Sequence, residues 1–185
     1  GVFFESNIPA NYGLGSSGAL VAALYDLYSL NKNKIDLSKI IKDLASIESF
    51  FHGKSSGLDP LTSYLNSPIL VNSKKNLKKL DKILINTSDE NKGFFLIDTH
   101  ISSKTQPLVD FFLKKIKDTS FKKSFEENFI KSTNNCIDFF LKNDQTNLFS
   151  EMKSLSASTL NLFNQMIPES FKNLWLDCLD SKYVA

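Results

Sequence analysis

The apolar positions of the chain change period several times, and the changes divide it into elements. Val2 to Ser6 is a short β-prone stretch leading into Pro9. From Ser16 to Leu30 the pattern becomes helical, with Ala19, Leu20, Ala23, Leu24 and Leu27 recurring at spacings of three and four. Asn31-Lys32-Asn33 interrupts it. Asp36 is placed to cap a second helix running from Leu37 to about His52, whose apolar face is Ile40, Ile41, Leu44, Ile47 and Phe51. A turn-rich break, Gly53-Lys54-Ser55-Ser56-Gly57, precedes a short segment from Asp59 to Leu65.

Beyond it, β-branched and aromatic runs at Pro68–Asn72, Lys82–Thr87 and Gly93–Thr99 predict strands. From about Thr105 the pattern is almost wholly helical: Pro107–Lys117, Phe121–Leu141, Gln145–Met166 and Ser170–Leu179, with Pro168 dividing the last two. The order of elements predicts an α+β fold. A boundary is expected near Asp89-Glu90-Asn91-Lys92, giving parts 1–90 and 91–185. The phenylalanines from Phe111 to Phe149, with Trp175, read as the core of the helical half.

Composition narrows the function classes. The 185 residues suffice for a sizeable core, and a net charge of +2 with scattered lysines offers no strong field for nucleic acid. All 22 basic residues are lysine, so no arginine of this chain can clamp a phosphate. Cys136 and Cys178 lack metal-ligand spacing and read as ordinary thiols suited to a reducing cytoplasm. No apolar run approaches the ~18 residues of a membrane span, and a soluble, cytoplasmic protein is expected. His100 reads as a surface residue, and Lys74-Lys75 and Lys78-Lys79 as a solvated edge.

Two clusters carry candidate chemistry. In "NYGLGSSGALVAAL", Gly13, Leu14, Gly15, Ser16 and Ser17 run into a helix start. Such a terminus exposes N–H groups and carries partial positive charge, so a phosphate can sit on it, with serine hydroxyls adding donors or a Mg²⁺ ligand. The plainer reading is a turn at Gly15 and a serine cap at Ser16. The loop is not a Walker sequence, since no Gly-Lys-Ser/Thr follows. In "ESFFHGKSSGLDP", Glu48 and Asp59 are two carboxylates eleven positions apart. One could hold Mg²⁺ and the other orient and deprotonate a hydroxyl. The plainer alternative is a solvated glutamate and an aspartate cap before Pro60.

Together these stretches resemble the GHMP kinase superfamily, which includes galactokinase, homoserine kinase, mevalonate kinase and phosphomevalonate kinase. "PANYGLGSSGALVAAL" is similar to its phosphate-binding motif, "ESFFHGKSSGLDP" to the mevalonate kinase form of the next segment, and "LIDTHISSKTQPLV" to a strand and turn carrying an active-site threonine. The resemblance implies an N-terminal part like ribosomal protein S5 domain 2 and a ferredoxin-like, helix-rich C-terminal part, both truncated. It implies ATP and Mg²⁺, with Gly13, Leu14, Gly15, Ser16 and Ser17 on the phosphates and Ser17 and Glu48 on the metal. Asp59 becomes the catalytic aspartate, and His52, Ser56 and Thr105 lie near substrate or phosphate. Lys54 and Lys104 are candidate cationic helpers, more often simply surface lysines.

The implied reaction is phosphorylation of the 5-hydroxyl of mevalonate; a sugar, homoserine or phosphomevalonate kinase, and a non-catalytic nucleotide-binding protein, are the alternatives. Members of the superfamily are often dimers. The chain departs from the pattern at Gly18, where alanine is usual, and Ser55, where proline is frequent. A lysine motif is expected upstream of Gly1 and a glycine-rich motif after about Tyr183. The stretch therefore reads as an internal fragment, itself expected to be inactive.

Overall fold

The computed structural model describes residues 3–9, 12–30, 36–73, 76–80, 96–101 and 105–181, apart from the side chains of residues 51, 52 and 73. The strand expected at Lys82–Thr87, the boundary region at Asp89–Lys92, Lys74-Lys75 and Lys104 lie outside them. The chain divides into two compact units, Gly1–Ile83 with Ile101–Ser103 and Leu84–His100 with Lys104–Ala185. The described residues form a helix-rich α+β arrangement with one two-stranded sheet.

The first unit holds α1 (Ser16–Tyr28), α2 (Leu37–His52), α3 (Leu58–Leu65), β1 (Ile69–Ser73) and β2 (Asn76–Lys79). Asp36 caps α2 as its sequence predicts, its carboxylate accepting from the Ser38 N–H at 2.9 Å and the Ser38 hydroxyl at 2.7 Å. These donors hold the Asp36 carboxyl below its usual range. Ile40 and Leu44 are buried on the predicted face, with Ile41 and Ile47 packed beside them. Leu61 of α3 and Val21 and Tyr25 of α1 complete the core, and Tyr25 meets Tyr64 edge-on at 5.2 Å.

The face of α1 differs from the predicted one. Gly18, Val21, Ala22 and Tyr25 are buried, whereas Leu20, Ala23 and Leu27 are exposed. Both sets have helical spacing because α1 is apolar nearly all round, so periodicity alone could not choose. Gly18 does choose: a Cβ there would lie 3.0 Å from Asp59 and from the Pro60 nitrogen, so this is the side that approaches α3 most closely.

β1 and β2 pair antiparallel, Ile69 opposite Lys79 and Val71 opposite Leu77, with an irregularity between Val71 and Ser73. Lys78 and Lys79 are exposed, as expected. The strands expected at Val2–Ser6 and Gly93–Thr99 lie only partly within the described residues. Phe3–Ser6 and Leu96–Thr99 form no strand, and Phe3 and Leu96 are 92% and 85% exposed.

The second unit contains α4 (Thr105–Lys115), α5 (Thr119–Ser124), a π-helical turn (Phe125–Ile130), α6 (Lys131–Leu141), α7 (Gln145–Phe163) and, after a 3₁₀ turn, α8 (Glu169–Asp180). The long helix expected over Phe121–Leu141 is thus continuous but widened by the π turn. The widening falls where Phe125 and Phe129 both close on Phe163, at 6.1 and 5.4 Å between ring centres. Phe112 and Phe121 join the cluster, but Phe149 is 43% exposed, outside the expected core. Trp175 is half-buried and donates to the buried Ser156 hydroxyl at 2.9 Å. Cys136 and Cys178 are half-buried free thiols, and burial with the nearby Glu151 charge raises the Cys136 thiol above its ordinary value. Among the described residues no helix is long and apolar enough to cross a membrane.

Asp144 caps α7, accepting from the Asn147 N–H at 3.1 Å and its side-chain amide at 2.6 Å, contacts that lower its carboxyl from the usual value. A carboxyl lowered in the folded state contributes stability above its unfolded range, lost as pH falls through the folded value. Asp144→Ala is expected to lower Tm at neutral pH by about 2–4 °C. The difference should shrink on acidification below the carboxylate range. Thermal melts across pH check this, and a difference that does not vary with pH contradicts it.

Candidate active site

The glycine loop begins a helix, but its cap is not a serine. Gly15 is the N-cap of α1, at φ 70° and ψ 30°, and no side chain caps the terminus. Gly13 shares φ 70°, with open space around both glycines, so their need is for left-handed backbone rather than room. The first ladder bond runs from the Ala19 N–H to the Gly15 carbonyl at 2.9 Å. The N–H groups of Ser16, Ser17 and Gly18 therefore have no acceptor within the helix. Leu14 is exposed, and Ser16 and Ser17 are half-buried.

Glu48, in the last turns of α2, is 7% exposed, which excludes the reading of a solvated glutamate. The Ser17 hydroxyl donates to Glu48 Oε1 at 3.4 Å across 31 residues of sequence. The Ser55 hydroxyl donates to Glu48 Oε2. Among the described residues no lysine pairs with this carboxylate. Burying a carboxylate against hydroxyls alone is costly, and a divalent cation held there would supply compensating charge. The Ser17 hydroxyl and Glu48 Oε1, 3.4 Å apart, are both hard oxygen donors of the kind Mg²⁺ takes. The donor chemistry of Ser17 and Glu48 fits a Mg²⁺ ion, which these two side chains would hold. Among the described residues no group of three or more His, Cys, Asp and Glu converges on a metal position.

The 53–57 turn is built around glycines and serines. Gly53 (φ 80°) ends α2, and Gly57 (φ 74°) is the N-cap of α3. Asp59 thus lies inside the first turn of α3 rather than capping it, and it is exposed. Its negative charge there is favoured by the helix dipole. The 3.0 Å approach of a Gly18 Cβ to the Asp59 Cβ shows that the starts of α1 and α3 lie against one another. The alanine that the family pattern favours at Gly18 would require this backbone to give way.

The Ser56 hydroxyl accepts from the Leu58 N–H at 3.3 Å and Ser56 is exposed, so the structure shows it supporting the α3 terminus. His52 closes α2. Lys54 is exposed. Thr105 opens α4, which belongs to the second unit. His100 is exposed, as expected, and paired with Asp98 at 3.2 Å.

Sequence reasoning missed Gly57 and Ser55. A Cβ at Gly57 would stand 2.4 Å from the Ile41 carbonyl oxygen. Gly57→Ala is therefore expected to destabilise the first unit by about 2–4 kcal/mol, from the left-handed backbone and the overlap together. Chemical denaturation checks this, and a loss below about 0.5 kcal/mol would contradict the geometry. The only advance signal was the glycine itself, standing before a carboxylate-bearing helix.

Residues 1–67 match the family model described as GHMP kinases N terminal domain, 67 of the 185 residues. That segment contains Gly13–Ser17, Glu48 and Asp59. No curated protein and no solved structure matches the chain.

Proposed function

We propose that this chain carries the phosphate-binding and catalytic portion of an ATP-dependent small-molecule kinase, with mevalonate as acceptor. The carrying observation is the meeting of a buried Glu48 carboxylate with Ser17 on a glycine-capped helix start that also lies against Asp59. The match of residues 1–67 to GHMP kinases N terminal domain supports phosphoryl transfer. The choice of mevalonate rests on the resemblance of "ESFFHGKSSGLDP" to mevalonate kinases. The S5-like and ferredoxin-like architecture belongs to the same reading.

On this account the N–H groups of Ser16, Ser17 and Gly18 hold phosphate oxygens, while Ser17 and Glu48 hold Mg²⁺. When bound, the metal supplies charge neutralisation for the transferring phosphoryl group. Asp59 accepts the proton of the acceptor hydroxyl as that oxygen bonds to the γ-phosphorus. The bond from the γ-phosphorus to the β–γ bridging oxygen breaks, and ADP leaves with the electron pair. Catalysis is then mainly positioning and electrostatics. Without arginine in this chain, cationic support from it can come only from lysine.

The test is coupled ADP release from the full-length protein with Mg-ATP and mevalonate, galactose or homoserine. ADP with mevalonate alone is expected. ADP with another acceptor would move the substrate while keeping the site. ATP binding without ADP from any acceptor would favour a non-catalytic nucleotide-binding protein.

A further inference from the structure

We infer that Ser55 is a positioning residue that makes Glu48 a one-oxygen metal ligand and so favours Mg²⁺ over Ca²⁺ at this site. The inference rests on the metal-binding reading of Ser17 and Glu48 given above. The two oxygens of Glu48 have different partners: Oε1 faces Ser17, and Oε2 accepts the Ser55 hydroxyl. A cation held by Ser17 and Glu48 would take the place of the first hydrogen bond. It need not disturb the second.

Ser55 is itself held from two sides. Its N–H donates to the Ser49 hydroxyl at 3.0 Å, and its own hydroxyl oxygen accepts from the Gly57 N–H at 2.9 Å. With one acceptor contact filled by Gly57, the hydroxyl proton is directed to Glu48. The carboxylate is fixed in rotation, with Oε2 occupied and Oε1 presented to Ser17. A proline at this position would supply neither the N–H nor the hydroxyl. The departure from the family pattern at Ser55 therefore adds a connection between the metal carboxylate and the start of the helix bearing Asp59.

The selectivity follows from coordination chemistry. Ca²⁺ takes six to eight oxygens and accepts both oxygens of one carboxylate, whereas Mg²⁺ demands a near-ideal octahedron. A carboxylate with one oxygen tied to a hydroxyl suits the second ion. Outer partners of this kind typically change metal affinity about 10–100-fold.

The probe is Mn²⁺ bound to the full-length protein with a non-hydrolysable ATP analogue, followed by electron paramagnetic resonance while Mg²⁺ or Ca²⁺ displaces it. Ser55→Ala is expected to weaken Mn²⁺ about tenfold and to shift the displacement ratio several-fold towards Ca²⁺. Ser55→Thr, which keeps the hydroxyl, should behave as the parent. A loss of packing alone would not move the ratio. If Ser55→Ala does not fold, Ser55→Cys, a near-isostere with a weak donor, carries the same expectation. An unchanged ratio in the folded variant overturns the role of Ser55. Glu48→Gln separates the two readings: parent-like Mn²⁺ binding in that variant would overturn the metal site itself, and the inference with it.

Discussion

Asp59→Asn is expected to lower kcat by about 10²–10⁴-fold, the contribution of a positioned general base, with nucleotide affinity nearly unchanged. Asp59 is exposed on the first turn of α3, and its Cβ abuts Gly18 at the start of α1. The amide keeps the shape and the helix contact but cannot take the hydroxyl proton. Because the nucleotide contacts assigned to this chain come from α1 and Glu48, ATP binding should survive, with stability lowered by only about 0.3–1 kcal/mol from the lost helix-dipole interaction. Steady-state kinetics with a parallel nucleotide titration check the split. Near-parent turnover would remove Asp59 from the chemistry.

Glu48→Gln should lower kcat about 10²–10³-fold, corresponding to several kcal/mol of metal-borne charge stabilisation. The side chain is buried, and its two hydroxyl contacts come from different elements. Glutamine preserves volume and can still accept one hydroxyl hydrogen bond, so the fold should persist. Raising the Mg²⁺ concentration should recover part of the loss, because the defect is in holding the metal. An effect that added Mg²⁺ does not alter would point to a purely structural carboxylate. The opposite expectation for Asp59→Asn, no recovery with Mg²⁺, makes the pair diagnostic.

The legibility of the chain varied with the physical origin of each feature. The start, end and face of α2 were readable because Asp36 is a local cap and Ile40 and Leu44 mark one stripe. The helices after Thr105 were readable for the same reason, down to the break at Pro168. The face of α1 was not, since two stripes of equal period compete and a tertiary contact at Gly18 selects between them. The described parts of the strands expected at Val2–Ser6 and Gly93–Thr99, Phe3–Ser6 and Leu96–Thr99, are irregular, and composition alone does not fix strand formation.

The site divides in the same way. Ser17, Glu48 and Asp59 were visible as residue types at a recognisable spacing, and the structure brings Ser17 to Glu48 and the backbone of α1 to Asp59. The roles of Ser55 and Gly57 depend on how the 53–57 turn folds back on α2. Ser55 reaches Glu48 only after the chain reverses at Gly53, whose φ is 80°. Gly57 is required by the position of the Ile41 carbonyl. Beyond the glycine itself, neither fact has a local sequence signature.

The most direct measurement is transfer of a radiolabelled γ-phosphate from Mg-ATP to mevalonate, with the product resolved from ATP and inorganic phosphate. The account predicts labelled phosphomevalonate from the full-length protein, reduced at least about a hundredfold by Asp59→Asn. Label that stays in ATP, or appears only as inorganic phosphate whatever the acceptor, would contradict it.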